Sequence, residues 1–218
     1  MPNYDTIIFD LDGTLLDTLD DLMDAVNHAL EQMGWPPRTR DEIRRFVGNG
    51  VAKLVERSVP AGTDSGEVAK ALEIFTAYYD VHKQDKTAPY EGIGDMLASL
   101  KAKGLTLAVV SNKFDAAVKV LMGEYFPGLI DLAAGEDEGR GVPKKPHPAM
   151  VHSVMAALGA DPARSVYVGD SEVDLQTAQN AGLPCIAVTW GFRDEAFLRA
   201  QGATAFAHTP EQLVAQIG

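Results

Sequence analysis

The sequence predicts an α/β protein in which a parallel sheet is flanked by helices and interrupted by a helical module. Three observations point there. Short aliphatic or β-branched runs recur at Thr6–Phe9, 105–110, 165–168 and 185–189, with weaker ones at 129–133 and 204–207, each bounded by Gly, Pro, Asp or Asn. Helical patterns lie between the later runs, and alternating strand and helix argues for parallel strands covered on both faces. Finally, 17–86 holds four helical patterns and no convincing strand.

Taken in order, Thr6-Ile7-Ile8-Phe9 is the first strand. Leu22, Val26, Ala29, Leu30 and Met33 then form a helical stripe closed by Gly34 and the Trp35-Pro36-Pro37 turn. Thr39-Arg40-Asp41-Glu42 opens a second helix with a Thr-x-x-Glu capping box. Val51, Leu54 and Val55 mark a third helix, and Val68, Leu72, Phe75 and Tyr79 a fourth that starts near Ser65-Gly66. Beyond the insert, helices are expected through Ile93, Met96, Leu97 and Leu100 before Gly104, through Val118, Leu121, Met122 and Tyr125 before Pro127, and from Met150 to Leu158 before Gly159. The expected organisation is a discontinuous Rossmann-like α/β core, 1–16 and 87–218, with a helical cap, 17–86, inserted after the first strand.

With 218 residues, one large domain carrying an insertion is the natural size class. The composition, 46% hydrophobic and 23% charged, is that of a soluble globular chain, and the net charge of −12 weighs against nucleic acid and anionic membrane surfaces as partners. An anionic small substrate therefore needs a local positive site. The single cysteine, Cys185, rules out an internal disulfide and a thiolate metal cluster, and its apolar run reads as a buried strand. No run approaches the roughly 18 apolar residues of a membrane span. Asp5, Asp10 and Asp12 interrupt the early apolar stretch, so a secretory signal is not expected and a cytoplasmic location is.

Four segments carry chemistry. Phe9-Asp10-Leu11-Asp12-Gly13-Thr14 places two carboxylates at the C-terminal end of a strand, where ligand crevices of open α/β sheets form. Two like charges there are unfavourable unless a cation or a shared proton relieves them, and a divalent metal is the economical explanation. Val109-Val110-Ser111-Asn112-Lys113 ends a strand in small hydrogen-bonding groups suited to anionic oxygens. Lys144-Lys145-Pro146-His147-Pro148 is stiffened by its prolines, so one ammonium can be held in place. Val168-Gly169-Asp170-Ser171-Glu172-Val173-Asp174 is a strand end followed by an acidic first helical turn; Asp170 and Asp174 suit a hard cation, while Glu172 suits the helix dipole.

In this order the four segments resemble the motifs of the haloacid dehalogenase superfamily: Asp10-x-Asp12-Gly13-Thr14, Ser111-Asn112, Lys145 before Pro-x-Pro, and Gly169-Asp170-x-x-x-Asp174. The resemblance covers nearly the whole chain, because that superfamily places a cap where the helical insert lies. It implies a phosphatase acting through an aspartyl-phosphate on a small phosphorylated metabolite. Asp10 would be the nucleophile and Asp12 the general acid and base. Mg²⁺ would be held by the Asp10 and Asp170 carboxylates and the Asp12 carbonyl, with Asp174 orienting that shell. Ser111, Asn112 and Lys145 would meet the phosphoryl oxygens. Members that cleave carbon–halogen bonds lack an acid at the Asp12 position, which favours phosphate esters. Val47-Gly48-Asn49-Gly50, with Leu54 and Arg57, and Val188-Thr189-Trp190-Gly191-Phe192 look like the phosphoglycolate phosphatases of this superfamily. Gly48, Asn49, Gly50 and Lys53, with Arg44 or Arg45 nearby, would then recognise the substrate carboxylate. A hexose-phosphate mutase of the β-phosphoglucomutase type is the competing enzyme, and a non-catalytic binding protein is disfavoured by the intact set Asp10, Asp12, Lys145 and Asp170. Either a monomer or a homodimer is compatible with the sequence.

Overall fold

The computed structural model describes residues 4–137, 139 and 141–217; the ends of the expected core, 1–3 and 218, lie outside them. The chain divides into two compact units, Met1–Leu16 with Pro89–Gly218 and Asp17–Ala88. In chain order the elements are β1 (Thr6–Phe9), β2 (Leu16–Asp17), α1 (Leu19–Gln32), α2 (Arg40–Phe46), α3 (Val51–Ser58), α4 (Ser65–His82), β3 (Ala88–Pro89), α5 (Ile93–Ala102), β4 (Thr106–Phe114) and α6 (Asp115–Tyr125). They continue as β5 (Leu132–Glu136), α7 (Ala149–Leu158), β6 (Ser165–Gly169), α8 (Glu172–Ala181), β7 (Cys185–Val188), α9 (Glu195–Ala200), β8 (Phe206–Ala207) and α10 (Pro210–Ile217). No helix among the described residues is long and apolar enough to cross a membrane.

In the first unit six parallel strands run in the order β5-β4-β1-β6-β7-β8. β1 lies between β4 and β6, with Phe9 opposite Val109 on one side and Val168 on the other, so the three strand ends carrying the polar motifs are neighbours. Every β1 side chain is buried because alternation sends them to two covered faces. Ile7 and Phe9 pack with Ile93, Leu97, Leu121 and Leu213, while Ile8 joins Ala108, Val110, Met150, Val151 and Val154. Burial of each large side chain of this kind contributes about 1.5–3 kcal/mol, which anchors the strand ends.

Four local expectations are corrected. β4 does not stop at Val110 but runs through Ser111, Asn112 and Lys113 to Phe114, past a register shift against β5. Its polar tail stays extended because those residues find partners within the unit. β5 starts at Leu132 rather than at 129, since Asp131 spends itself on the β4 edge: its N–H donates to Leu107 O at 2.8 Å and its carboxylate accepts from Leu107 N at 2.8 Å. The helices α9 and α10 were not expected; α9 is six residues long and is N-capped by Asp194, which accepts from Phe197 N at 2.8 Å. Cys185 opens β7 and is half-buried rather than enclosed, being at the strand's first position.

The second unit is helical. Its core joins Leu22, Ala25, Val26, Ala29 and Leu30 of α1 to Ala71, Phe75 and Tyr79 of α4, with Ile43, Leu54 and Val55 from the short helices also buried. The capping box of α2 forms as its residues dictate: Thr39 Oγ1 accepts from Glu42 N at 3.3 Å and Glu42 accepts from Thr39 N at 2.8 Å. Buried Asp21 accepts from the N–H groups of Lys86 and Thr87 at 3.0 and 2.8 Å, which fixes the returning segment against the start of α1.

Candidate active site

The C-terminal ends of β1, β4 and β6 bring the charged residues of the core together. Asp10 N donates to Val168 O at 2.8 Å, extending the β1 pairing by one residue, and the chain then folds so that the N–H groups of Thr14, Leu15 and Leu16 all reach Leu11 O. Gly13 permits this turn twice over. Its φ is +87°, and a Cβ there would sit 2.4 Å from Asp170 Oδ2. Gly191 is excluded from carrying a side chain by Gly13 O, which would lie 2.2 Å from its Cβ. The Trp190 indole donates to Thr14 O at 2.9 Å, fixing the loop from a third segment.

Lys145 is the centre of the cluster. Its Nζ lies 2.7 Å from Asp10 Oδ1 and 2.8 Å from Asp174 Oδ1, and it donates to the Tyr167 hydroxyl at 3.2 Å. Its backbone is held by Asn112, whose Oδ1 accepts from Lys145 N at 2.7 Å and whose Nδ2 donates to Lys145 O at 3.1 Å. Asn112, expected at the phosphoryl oxygens, thus uses both ends of its side-chain amide to place the lysine backbone. Ser111 is buried, and its Oγ accepts from Lys113 N at 3.2 Å, which leaves the hydroxyl hydrogen to donate.

Asp170 accepts from Thr14 Oγ1 at 3.2 Å and from Phe192 N at 2.7 Å. Asp174 is saturated: Oδ1 faces Lys145 and Tyr167, while Oδ2 accepts from Ser171 N at 3.1 Å and Ser171 Oγ at 2.6 Å in the capping box of α8. Glu172, on the same helical turn, pairs with Arg193 at 2.9 Å.

Asp10, Asp170 and Asp174 each offer an oxygen within 4.8 Å of the others, and their exposures are 8%, 1% and 0%. Three buried carboxylates thus crowd one buried ammonium. Burial, then Asp174 and Asp170, push the Asp10 carboxyl well above the usual range while Lys145 pulls it back. Burial and Asp174 raise Asp170 to about 7, against the Phe192 N–H, Arg193 and Lys145. Burial would lower Lys145, but Asp10 and Asp174 override it and hold the amine well above its ordinary value. A divalent cation fits this donor set: the ligands are hard oxygens, they are short of positive charge, and Asp10 and Asp170 retain lone pairs that Asp174 has already spent.

The motif reading missed Lys113, which pairs with Asp12 at 2.9 Å, and Tyr167, whose hydroxyl bridges Lys145 and Asp174. A tyrosine in an aliphatic strand was the available signal for the second. In the helical unit, Gly48 and Gly50 take φ of +126° and +83° around Asn49, whose Oδ1 accepts from Arg57 at 2.8 Å. Gly50 caps α3, and Lys53 forms an exposed pair with Glu56 at 2.7 Å.

Comparison with known proteins agrees with this geometry. The profile of the haloacid dehalogenase-like hydrolase family matches residues 7–188. A phosphoglycolate phosphatase of Pseudomonas putida is 36% identical over 198 residues, 85% of this chain and 70% of the relative. One from Mesorhizobium japonicum is 33% identical over 205 residues, 93% of this chain and 90% of the relative. A solved structure from Lactobacillus delbrueckii subsp. bulgaricus, provisionally assigned as a phosphoglycolate phosphatase, superposes with a TM-score of 0.94 at 41% identity, covering 99% of this chain and 98% of that one. On this match, spanning the sheet and its four polar motifs, the chain belongs to the haloacid dehalogenase-like hydrolase family.

Proposed function

We propose that the protein is a Mg²⁺-dependent phosphatase whose substrate is 2-phosphoglycolate, hydrolysed through a phosphoryl group carried on Asp10. The observation that carries the reading is the Asp10 carboxylate held 2.7 Å from Lys145 in a cluster that lacks positive charge. The relatives named above support the substrate.

Asp10 attacks phosphorus, forming an Asp10 Oδ–P bond as the ester P–O bond breaks. Asp12 gives its proton to the leaving oxygen. In the second half, water attacks the phosphoryl group, Asp12 takes its proton, and inorganic phosphate leaves with the Asp10 carboxylate restored. The Ser111 hydroxyl, nearby main-chain N–H groups and Lys145 hold the phosphoryl oxygens, offsetting the repulsion between an anionic nucleophile and an anionic ester. The Asp10 and Asp170 carboxylates and the Asp12 carbonyl would hold Mg²⁺, which would supply charge neutralisation there. Asp174 steadies Lys145 rather than the ion.

The helical unit acts as the cap, and Gly48, Asn49, Gly50 and Lys53 recognise the carboxylate end of the substrate. Phosphate release from a panel of phosphorylated metabolites, with Mg²⁺ and with EDTA, tests the reading. Release from 2-phosphoglycolate that requires the cation is expected. Isomerisation of β-glucose 1-phosphate in place of phosphate release would identify a mutase instead.

A further inference from the structure

Asp12, the residue assigned to proton transfer, is tied to a side chain with no role in the mechanism above. Lys113 Nζ lies 2.9 Å from Asp12 Oδ1, with side-chain exposures of 6% for the lysine and 18% for the aspartate. Among the described residues, Asp12 Oδ2 has no hydrogen-bond partner. A lysine this desolvated is costly to place unless it is paired, so the contact differs in kind from surface pairs such as Lys53–Glu56.

The backbone explains how the lysine arrives there. β4 continues to Phe114 past its register shift against β5, and Ser111 and Lys113, two residues apart in that tail, are both buried. The Lys113 N–H donates to Ser111 Oγ at 3.2 Å, so the strand end that presents the serine also presents the ammonium. One oxygen of Asp12 is thus fixed from the neighbouring strand while the other is left available.

Resting on the phosphatase reading, we propose that Lys113 is a positioning residue for Asp12: by holding Oδ1 it directs Oδ2 to the leaving-group oxygen. Lys113 touches neither the substrate nor the phosphorus. Its effect is confined to the step in which the P–O bond breaks and the Asp12 proton moves to the departing oxygen, where a small misplacement of the acid is expensive.

The test compares leaving groups. p-Nitrophenolate departs without a proton, whereas the alkoxide of 2-phosphoglycolate does not, and kcat/KM confines the comparison to the first half-reaction. Lys113→Met should lower kcat/KM for 2-phosphoglycolate, or for the best alkyl phosphate of the panel, by about 10–100-fold. The loss with p-nitrophenyl phosphate should stay under about threefold, and Lys113→Arg should recover most of the activity. In an Asp12→Ala background, Lys113→Met should change p-nitrophenyl phosphate turnover by less than about twofold, because the acceptor that Lys113 holds is already gone. If Lys113→Met does not fold, Lys113→Gln serves in the same comparison. Equal losses on both substrates with an active wild type, or no loss on either, overturn the inference alone. A wild type that hydrolyses neither ester removes the phosphatase reading and the inference with it.

Discussion

The charged cluster of the core and the charged segment of the helical unit are built on opposite principles. Lys145, Asp10 and Asp174 are almost fully desolvated, and each is fixed by partners from a different strand end or helix start. Lys53 and Glu56 lie on one helix, are each 53% exposed, and bond mainly to each other. A buried ion set of the first kind is preorganised and intolerant of losing its one shared cation, Lys145. A surface pair of the second kind contributes little to stability and is easily exchanged for a ligand group. The proposed function places the chemistry in the core and the selectivity in the helical unit, a division that variants of each can break.

Asp10→Asn has the largest expected effect. Loss of the nucleophile should reduce kcat by about 10⁴-fold or more. The metal-free fold should be as stable as before or more so at neutral pH, because burial and two neighbouring carboxylates oppose a charge at this position. Wild-type turnover in this variant would end the covalent account. Next comes Lys145→Met, which strands Asp10 and Asp174 without their shared cation. A destabilisation of about 3–5 kcal/mol by denaturant titration is expected, together with loss of activity. A change under about 1 kcal/mol would place Lys145 with the surface pairs.

The third effect is a pH dependence. Asp10 and Asp170 are both raised, Asp170 to about 7. In the metal-free folded protein they bind protons that the unfolded chain, with carboxylates near about 4, has already released. The Asp170 contribution to stability is therefore present at low pH and is lost as pH rises from about 4 to about 7, and Asp10 acts in the same direction. A cation at the cluster offsets the negative charge and removes that loss. Calorimetry in EDTA and in excess Mg²⁺ should show Tm values that diverge as the pH rises through this window. Parallel curves would mean that the cluster holds no cation. The smallest effect is Lys53→Ala, expected to raise KM for 2-phosphoglycolate a few-fold with kcat intact and stability within about 0.5 kcal/mol. An unchanged KM removes Lys53 from substrate recognition.

These contrasts also separate what the sequence makes legible from what it hides. β1 is readable because both of its faces are buried, giving an unbroken apolar run that ends in the carboxylates. The helices of the second unit announce themselves through local chemistry, as in the Thr39–Glu42 capping box. Asn112 is different: as a Ser-Asn pair after a strand it reads as an anion site or a helix cap, whereas its side chain bonds to the Lys145 backbone 33 positions away. Lys113 was hidden for a related reason. Its burial beside Ser111 follows only if the strand continues through polar residues, and that depends on partners supplied by other parts of the fold. The shift of β5 to Leu132 follows from the tertiary bond of Asp131 to β4, which no local pattern encodes. The short helix α9, built on one capped turn and a single buried leucine, Leu198, has too little apolar periodicity to be seen.

On the proposed mechanism Asp10 carries the phosphoryl group during turnover. Acid quenching within a single turnover, followed by peptide mass spectrometry, tests it most directly. The mass of one phosphoryl group is expected on the peptide containing Asp10, appearing before inorganic phosphate and disappearing as it forms. Full turnover with no phosphorylated peptide, or with the group on another residue, would contradict it.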